Sequence, residues 1–88
     1  MRVKNMVSPR SGREVANQFI IEHEGKTYFQ SYSTIIAVRE GGKLTLDKNY
    51  WDYSVTTSKY RNEFIGMNTA ETKKAIKNGE IELADLNK

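Results

Sequence analysis

The sequence predicts an α+β domain, in which an antiparallel β-sheet meander of about three to five strands is followed by one or two short helices. Two observations support this prediction. Between residues 15 and 47, short apolar or alternating runs are separated by glycine-containing turns, as is typical of antiparallel strands. After Asp47 this pattern stops, and the hydroxyl caps and stop glycines of helices replace it. Because 88 residues is the length of one domain, we expect a single domain over residues 1–88.

The amino-terminal part favours an edge strand followed by a hairpin. Residues 2–7 alternate weakly, and Pro9 then lacks the N–H that a sheet ladder would need. Further along, the polar residues 22–26 lie between two apolar runs, and Gly25 among them can take the positive φ of a tight turn. We therefore predict an edge strand at residues 2–7 and a hairpin that reverses at Gly25.

The second strand of this hairpin is predicted to continue from Tyr28 to Val38. Its centre carries several small hydroxyl side chains, which indicate a bend or a bulge before its apolar half. Gly41 and Gly42 form the next reversal, and residues 43–47 alternate as a further strand. These elements together predict the meander.

Two short helices are predicted in the last third of the chain. Thr56 or Thr57 would cap the first helix through a side-chain oxygen, and Gly66 would end it. Asn68 and Glu71 have the spacing of a capping box, which opens the second helix. An alternating tail after this helix offers one last strand.

The large side chains are expected to form one core, because a chain this small needs nearly all of them inside. Trp51, Tyr60 and Phe64 would fold back from the carboxyl-terminal half onto the sheet. The sheet would contribute the following residues: Phe19, Ile21, Phe29, Ile35 and Leu46.

Composition excludes several classes of protein. There is no cysteine, which removes disulfides, thiolate metal ligands and thiol nucleophiles and fits a reducing cytosol. The longest apolar run, residues 35–38, is far shorter than the roughly 20 residues that cross a bilayer. We therefore expect a soluble protein of a reducing cytoplasm, without a recognisable export signal and without a membrane partner.

Few residues offer chemistry. His23 is the only histidine and lies beside a predicted turn, where a surface position explains it and no second nitrogen or sulfur donor accompanies it. Asp47 and Asp52 are the best carboxylate pair for acid–base work, but Asp52, followed by Ser54 and Thr56, serves equally well as a turn former. We expect no enzymatic activity, no metal, no cofactor and no small-molecule substrate.

Residues 50–61 are the most informative stretch, because they combine the only tryptophan with three tyrosines, several hydroxyls and two cations. Such aromatic side chains either close a small core or bind a partner. Tyr32 is a further candidate, since it stands in an otherwise polar strand segment. The loop that carries Arg10 and Arg13 is either a plain connector or a cradle for an anion.

This stretch also carries a resemblance. Tyr28 to Ala37 and the pattern Trp-Asp-Tyr-Ser-x-Thr-Thr-x-Lys-Tyr at residues 51–60 resemble a small uncharacterised family encoded by bacteriophages and other mobile elements. The resemblance covers residues 15–66. It implies an early or accessory phage gene acting in the bacterial cytosol. Phage proteins of this size commonly inhibit host or defence enzymes, anti-CRISPR proteins among them, or assist DNA metabolism.

The function expected from these observations is occlusive binding, without turnover, to a host or defence protein complex, with complexes that carry nucleic acid among the candidates. The net charge of +3 would speed encounter with an acidic partner. The alternative is a binder of single-stranded nucleic acid, in which tyrosines stack on bases and cations follow the backbone. The contact candidates are the following residues: Tyr32, Tyr50, Tyr53, Lys59, Arg61, Arg10 and Arg13.

Overall fold

The computed structural model describes residues 1–88 and contains one six-stranded sheet and two helices. The strands lie side by side in chain order, and every neighbouring pair is antiparallel except β5 and β6, which are parallel. The elements are β1 (Arg2–Val7), β2 (Glu14–His23), β3 (Lys26–Ser31), β4 (Thr34–Glu40), β5 (Lys43–Asp47), α1 (Val55–Ile65), α2 (Thr69–Lys77) and β6 (Glu82–Ala84). The predicted α+β fold, a sheet meander followed by two helices, is confirmed. The sheet has one strand more than the upper end of the prediction, because the segment predicted as a single strand from Tyr28 to Val38 forms two strands, β3 and β4. The tail returns beside β5 as the predicted last strand.

The prediction of one long strand from Tyr28 to Val38 is wrong. The chain reverses completely at Tyr32 and Ser33, and the two halves pair as β3 and β4. A two-residue hairpin loop needs a positive φ, which sequences usually signal with glycine or asparagine. Here Tyr32 itself adopts φ 56°, so the usual signal is missing.

The other local predictions agree with the structure except for one cap. Gly25 has the predicted positive φ of 79°, and Asn68 and Glu71 form both hydrogen bonds of the capping box. Helix α1 ends at Gly66 in the left-handed conformation. Its cap is Ser54, whose side chain accepts a hydrogen bond from the Thr57 backbone N–H, and neither Thr56 nor Thr57 caps it.

The helices pack on one face of the sheet. Ile20, Phe29, Ala37 and Leu46 stand directly opposite one another on successive strands and therefore share that face. Phe64 of α1 stacks on Phe29 with ring centroids 5.9 Å apart. The buried core comprises Phe29, Ile36, Ala37, Leu46, Tyr60, Ala75 and Ile81, with Trp51 and Phe64 packed against it. This confirms the predicted places of Trp51, Tyr60 and Phe64.

The opposite face of the sheet is also apolar. The strand register places Val3, Ile21, Tyr28 and Val38 in one row across β1 to β4, on the side away from Phe29. Phe19 and Ile35 lie in the neighbouring row of the same face. The prediction that Phe19, Ile21 and Ile35 share a core with Phe29 is therefore wrong, because successive residues of a strand point to opposite faces.

Neither helix has the length and apolar character to cross a bilayer.

Candidate functional site

The direction of the strands brings three connections to one end of the sheet. β1, β3 and β5 end there, and they are followed by the loops at 8–13, 32–33 and 48–54. The first turns of α1 continue from the third loop. Ser31 Oγ lies 3.1 Å from Thr57 Oγ1, a contact that joins the tip of the β3–β4 hairpin to α1. We call this region, comprising the three loops and residues 55–59, the loop end.

Three tyrosines project from the loop end. The exposed fraction is 58% for Tyr32, 41% for Tyr50 and 48% for Tyr53, and the rings of Tyr50 and Tyr53 meet edge to face at 5.5 Å. Val55, beside them at the start of α1, is 88% exposed. The structure thus presents all three candidate tyrosines to solvent, while their role in binding stays a prediction.

The backbone holds Tyr32 in an unfavourable conformation. At φ 56° it is in the left-handed region, which costs a side chain of this kind about 1–2 kcal/mol. Two hydrogen bonds fix it there: its N–H donates to the Asn17 carbonyl at 2.6 Å, and its own carbonyl accepts from Gln30 Nε2 at 2.7 Å. The exposed ring therefore stands on a rigid, strained turn.

The loop that carries Tyr50 and Tyr53 is anchored by Asp47. This buried carboxylate accepts hydrogen bonds from the backbone N–H groups of Asn49 and Tyr50, at 3.0 and 2.9 Å. Its other oxygen accepts from the Leu86 N–H at 2.8 Å. Because all three donors are backbone groups, Asp47 holds the loop and the carboxyl-terminal tail in place.

Arg61 does not face a partner, and the expectation that it does is wrong. Its side chain is completely buried. Nη1 donates to the Trp51 carbonyl at 2.6 Å and to Asp52 Oδ1 at 3.1 Å, while Nη2 donates to Asn62 Oδ1 and Thr69 Oγ1. The guanidinium also stacks over the Trp51 ring, 5.1 Å from its centroid. Arg61 therefore links the loop, α1 and the start of α2 from inside.

Asp52 completes this cluster as the charge partner of Arg61. Burial opposes its charged form and would raise its pKa, but hydrogen bonds donated by Ser58 and Arg61, together with the charges of Arg61 and Lys73, outweigh that effect. The pKa of Asp52 consequently lies below its ordinary value. The carboxylate is held ionised as a structural group, which is opposite to what a general acid at neutral pH needs.

Residues 50–61 therefore divide into an inward half and an outward half. The inward side chains are held by the contacts described above: Trp51, Asp52, Ser54, Thr57, Tyr60 and Arg61. The outward side chains are Tyr50, Tyr53, Val55, Thr56 and Lys59. An open groove of ≈ 600 Å³ lies between the loop and α1, lined in part by Tyr53, Val55 and Lys59.

The cations of the loop end have no ion-pair partners, unlike those at the opposite end. Arg10, Arg13, Lys48 and Lys59 are exposed, and none of them forms a salt bridge. At the opposite end the pairs Arg2–Glu22, Lys26–Glu40 and Lys43–Glu82 neutralise one another. Lysines of α2 are also unpaired, but no large exposed apolar side chain accompanies them. Free cations and exposed aromatic rings therefore coincide only at the loop end.

Residues 1–81 match a family described as Family of unknown function (DUF8033). The chain belongs to this family. No curated protein and no solved structure matches it. This member of DUF8033 presents its exposed tyrosines and unpaired cations together at the loop end.

Sequence reasoning missed one exposed side chain of this DUF8033 surface. Val55 occupies the first position of α1, and it is the most exposed of the large hydrophobic side chains. The signal was present in the order Ser54-Val55, a cap followed directly by an apolar residue. It was overlooked because two threonines nearby were equally good caps.

Proposed function

We propose that the protein is a small, non-enzymatic accessory protein of the phage type that binds and blocks a host macromolecule through its loop end. The observation that carries the proposal is the coincidence there of three exposed tyrosines with four unpaired cations. Tyrosine and arginine dominate the binding energy of protein interfaces, and single anchors commonly contribute about 2–4 kcal/mol. The inward half of residues 50–61 supports this role by holding the outward half rigid, which lowers the entropy lost on binding.

The chemistry of the surface indicates an acidic partner. Arg10, Arg13, Lys48 and Lys59 place four positive charges at the loop end, and none of them forms a salt bridge. A host or defence complex that carries nucleic acid offers both a negative surface and protein grooves for tyrosine anchors. Inhibition of such a complex, an anti-CRISPR activity included, requires only occlusion and no turnover. The bacterial cytosol is where this partner would be met.

Affinity capture with a matched pair of variants tests the proposal. The wild type, Tyr50→Ser/Tyr53→Ser and the control Lys74→Gln/Lys77→Gln are immobilised and exposed to bacterial lysate with and without nuclease. We expect one host protein to be retained by the wild type and the control and lost from the tyrosine variant, whose folding is checked by circular dichroism. Equal retention on all three surfaces would rule out the loop end as the binding surface.

Direct binding of single-stranded nucleic acid is the second candidate, and the same tyrosines and cations favour it, because bases stack on aromatic rings and the cations follow phosphates. Fluorescence anisotropy with labelled oligonucleotides separates the two proposals. Binding that weakens steeply between about 50 and 200 mM salt, and that depends on Tyr32, supports nucleic acid. Absence of oligonucleotide binding together with nuclease-resistant capture of a host protein supports the blocking role.

A further inference from the structure

β1 is a strand with one free edge. It pairs with β2 on one side only, whereas the other edge of the sheet is β6, which has three residues against six in β1. Unpaired edges of this length present a row of free N–H and C=O groups to any matching strand. We propose that two copies of this chain pair antiparallel through their β1 strands about a two-fold axis. This inference stands apart from the proposed function.

The usual protection of an edge strand is weak in β1. The strand contains no proline, and the extra residues at its irregular pairing with β2 belong to β2, so β1 itself continues without a bulge. Two side chains of β1 are cationic, Arg2 and Lys4. Arg2 Nη2 lies 2.6 Å from Glu22 Oε1 on β2, so only Lys4 remains as a charge that opposes pairing with another strand. Val3 and Val7 are 55% and 51% exposed although both are apolar. Covering this edge would therefore bury apolar surface and satisfy free backbone groups.

Side-chain parity limits the pairing to a few registers. Residues directly opposite one another share a face, so a two-fold axis must pass through a residue pair of the same number. An axis at Lys4 would set the two Lys4 ammonium groups against each other and would place Val3 beside Asn5 of the second copy. Like charges directly opposite destabilise a sheet. This register is therefore disfavoured.

An axis at Asn5 removes both faults. It sets Val3 opposite Val7 of the second copy, and the symmetry repeats this apolar pair. On the other face it sets Lys4 opposite Met6 of the second copy, where the lysine stem packs on an apolar side chain and its ammonium stays in water. Of these two registers, the one with its axis at Asn5 is therefore favoured.

The expected dimer leaves the tyrosines of both loop ends free. Because the paired strands are antiparallel, the two loop ends point in opposite directions along the joined sheet. The contact consists mainly of backbone hydrogen bonds from one short strand per copy, which is small compared with the roughly 800 Å² per partner of a standard interface. We therefore expect a reversible association that needs micromolar or higher concentration to form.

Disulfide trapping tests this register, because the chain contains no cysteine of its own. Asn5→Cys would place the two cysteines directly opposite each other. Their Cα atoms would lie about 4.5–5.5 Å apart, which is within the range that a disulfide bridges. Lys4→Cys reports the disfavoured register, and Val38→Cys reports face-to-face packing through the uncovered face. Cross-linking under mild oxidation is followed by non-reducing electrophoresis and normalised to each thiol's reactivity with a maleimide.

We expect Asn5→Cys to cross-link at least fivefold faster than both controls, with the difference abolished in denaturant. A faster reaction at Lys4→Cys or Val38→Cys overturns the proposed contact, as does equal reaction at all three positions.

A second variant tests the contact without oxidation. Asn5→Lys puts two ammonium groups across the axis, so we expect its dimer dissociation constant in sedimentation to rise at least tenfold. Asn78→Lys, at the C-cap of α2, adds the same charge and should leave that constant unchanged. A wild type that stays monomeric at millimolar concentration also overturns the proposal.

Discussion

At the scale of single residues, Arg61 connects the loop end to both helices from inside. A buried guanidinium is costly unless carboxylates and carbonyls replace its lost water. Trp51, Asp52, Asn62 and Thr69 supply oxygens to it, and only Nε lacks a partner. These acceptors come from the loop and from both helices, so the ionic cluster fixes the base on which Tyr50 and Tyr53 stand.

The lowered pKa of Asp52 gives this cluster a measurable pH dependence. A carboxylate whose pKa is lower when folded stabilises the protein above its unfolded pKa, near 4, and loses that contribution as the pH falls through the folded pKa. We expect Asp52→Asn to be less stable than the wild type at pH 7 and to lose less stability on acidification below about pH 4. Urea unfolding from pH 7 to pH 2 measures both effects. Parallel curves for the two proteins would show that Asp52 contributes nothing to acid sensitivity.

Tyr32 is predicted to trade stability for binding. Asparagine tolerates the left-handed region far better than tyrosine, and the exposed ring of Tyr32 contributes little packing. Tyr32→Asn should therefore raise the free energy of unfolding by about 0.5–1 kcal/mol while weakening capture of the partner. The matched control is Tyr50→Asn, at a residue without positive φ, which should bring no gain. Loss of stability in Tyr32→Asn would contradict the strain argument.

At the scale of elements, turns and helix caps that depend on neighbouring residues were predicted correctly, whereas features that depend on distant contacts were not. The capping box at Asn68, the turn at Gly25 and the stop at Gly66 each depend on neighbours within a few residues, and all three agree with the structure. The hairpin at Tyr32 was missed because its positive φ is held in part by a hydrogen bond from its N–H to the carbonyl of Asn17, which lies on β2 and is distant in sequence. No local pattern carries that information.

The burial of Arg61 was not predicted for a similar reason. Arginine is rarely buried, so a sequence containing Lys59 and Arg61 predicts two exposed cations. Burial of the second one depends on acceptors that the fold brings together from Trp51 to Thr69. The candidate site was therefore predictable in its exposed tyrosines and lysine, and unpredictable in the cluster that supports them.

The cap of α1 allows a direct comparison of two hydroxyl residues. Ser54 accepts a hydrogen bond from the Thr57 N–H, whereas Thr56 is exposed within the first turn. Removing a helix cap of this kind costs about 1 kcal/mol. We expect Ser54→Ala to lower the free energy of unfolding by that amount and Thr56→Ala to change it by less than about 0.5 kcal/mol. Equal effects in chemical denaturation would mean that the cap adds no stability of its own.

At the scale of the whole molecule, the helices cover one face of the sheet and leave the other half-buried. A small chain arranged in this way has few large side chains to spare. Three tyrosines nevertheless remain outside, together at one end, where the cations are unpaired. At the opposite end the charges are arranged in pairs. The molecule is therefore polarised between a neutralised end and an end free to interact.

This polarity predicts that position matters more than net charge. Two double variants each remove two positive charges. Lys48→Gln/Lys59→Gln removes them from the loop end, and Lys74→Gln/Lys77→Gln removes them from α2. If the partner docks on the loop end, the first variant should lower its association rate constant about tenfold at low salt, because steering depends on charges that face the partner. The second should lower it less than twofold. Surface plasmon resonance on the captured partner at two salt concentrations measures both, and equal losses would mean that only the overall charge attracts the partner.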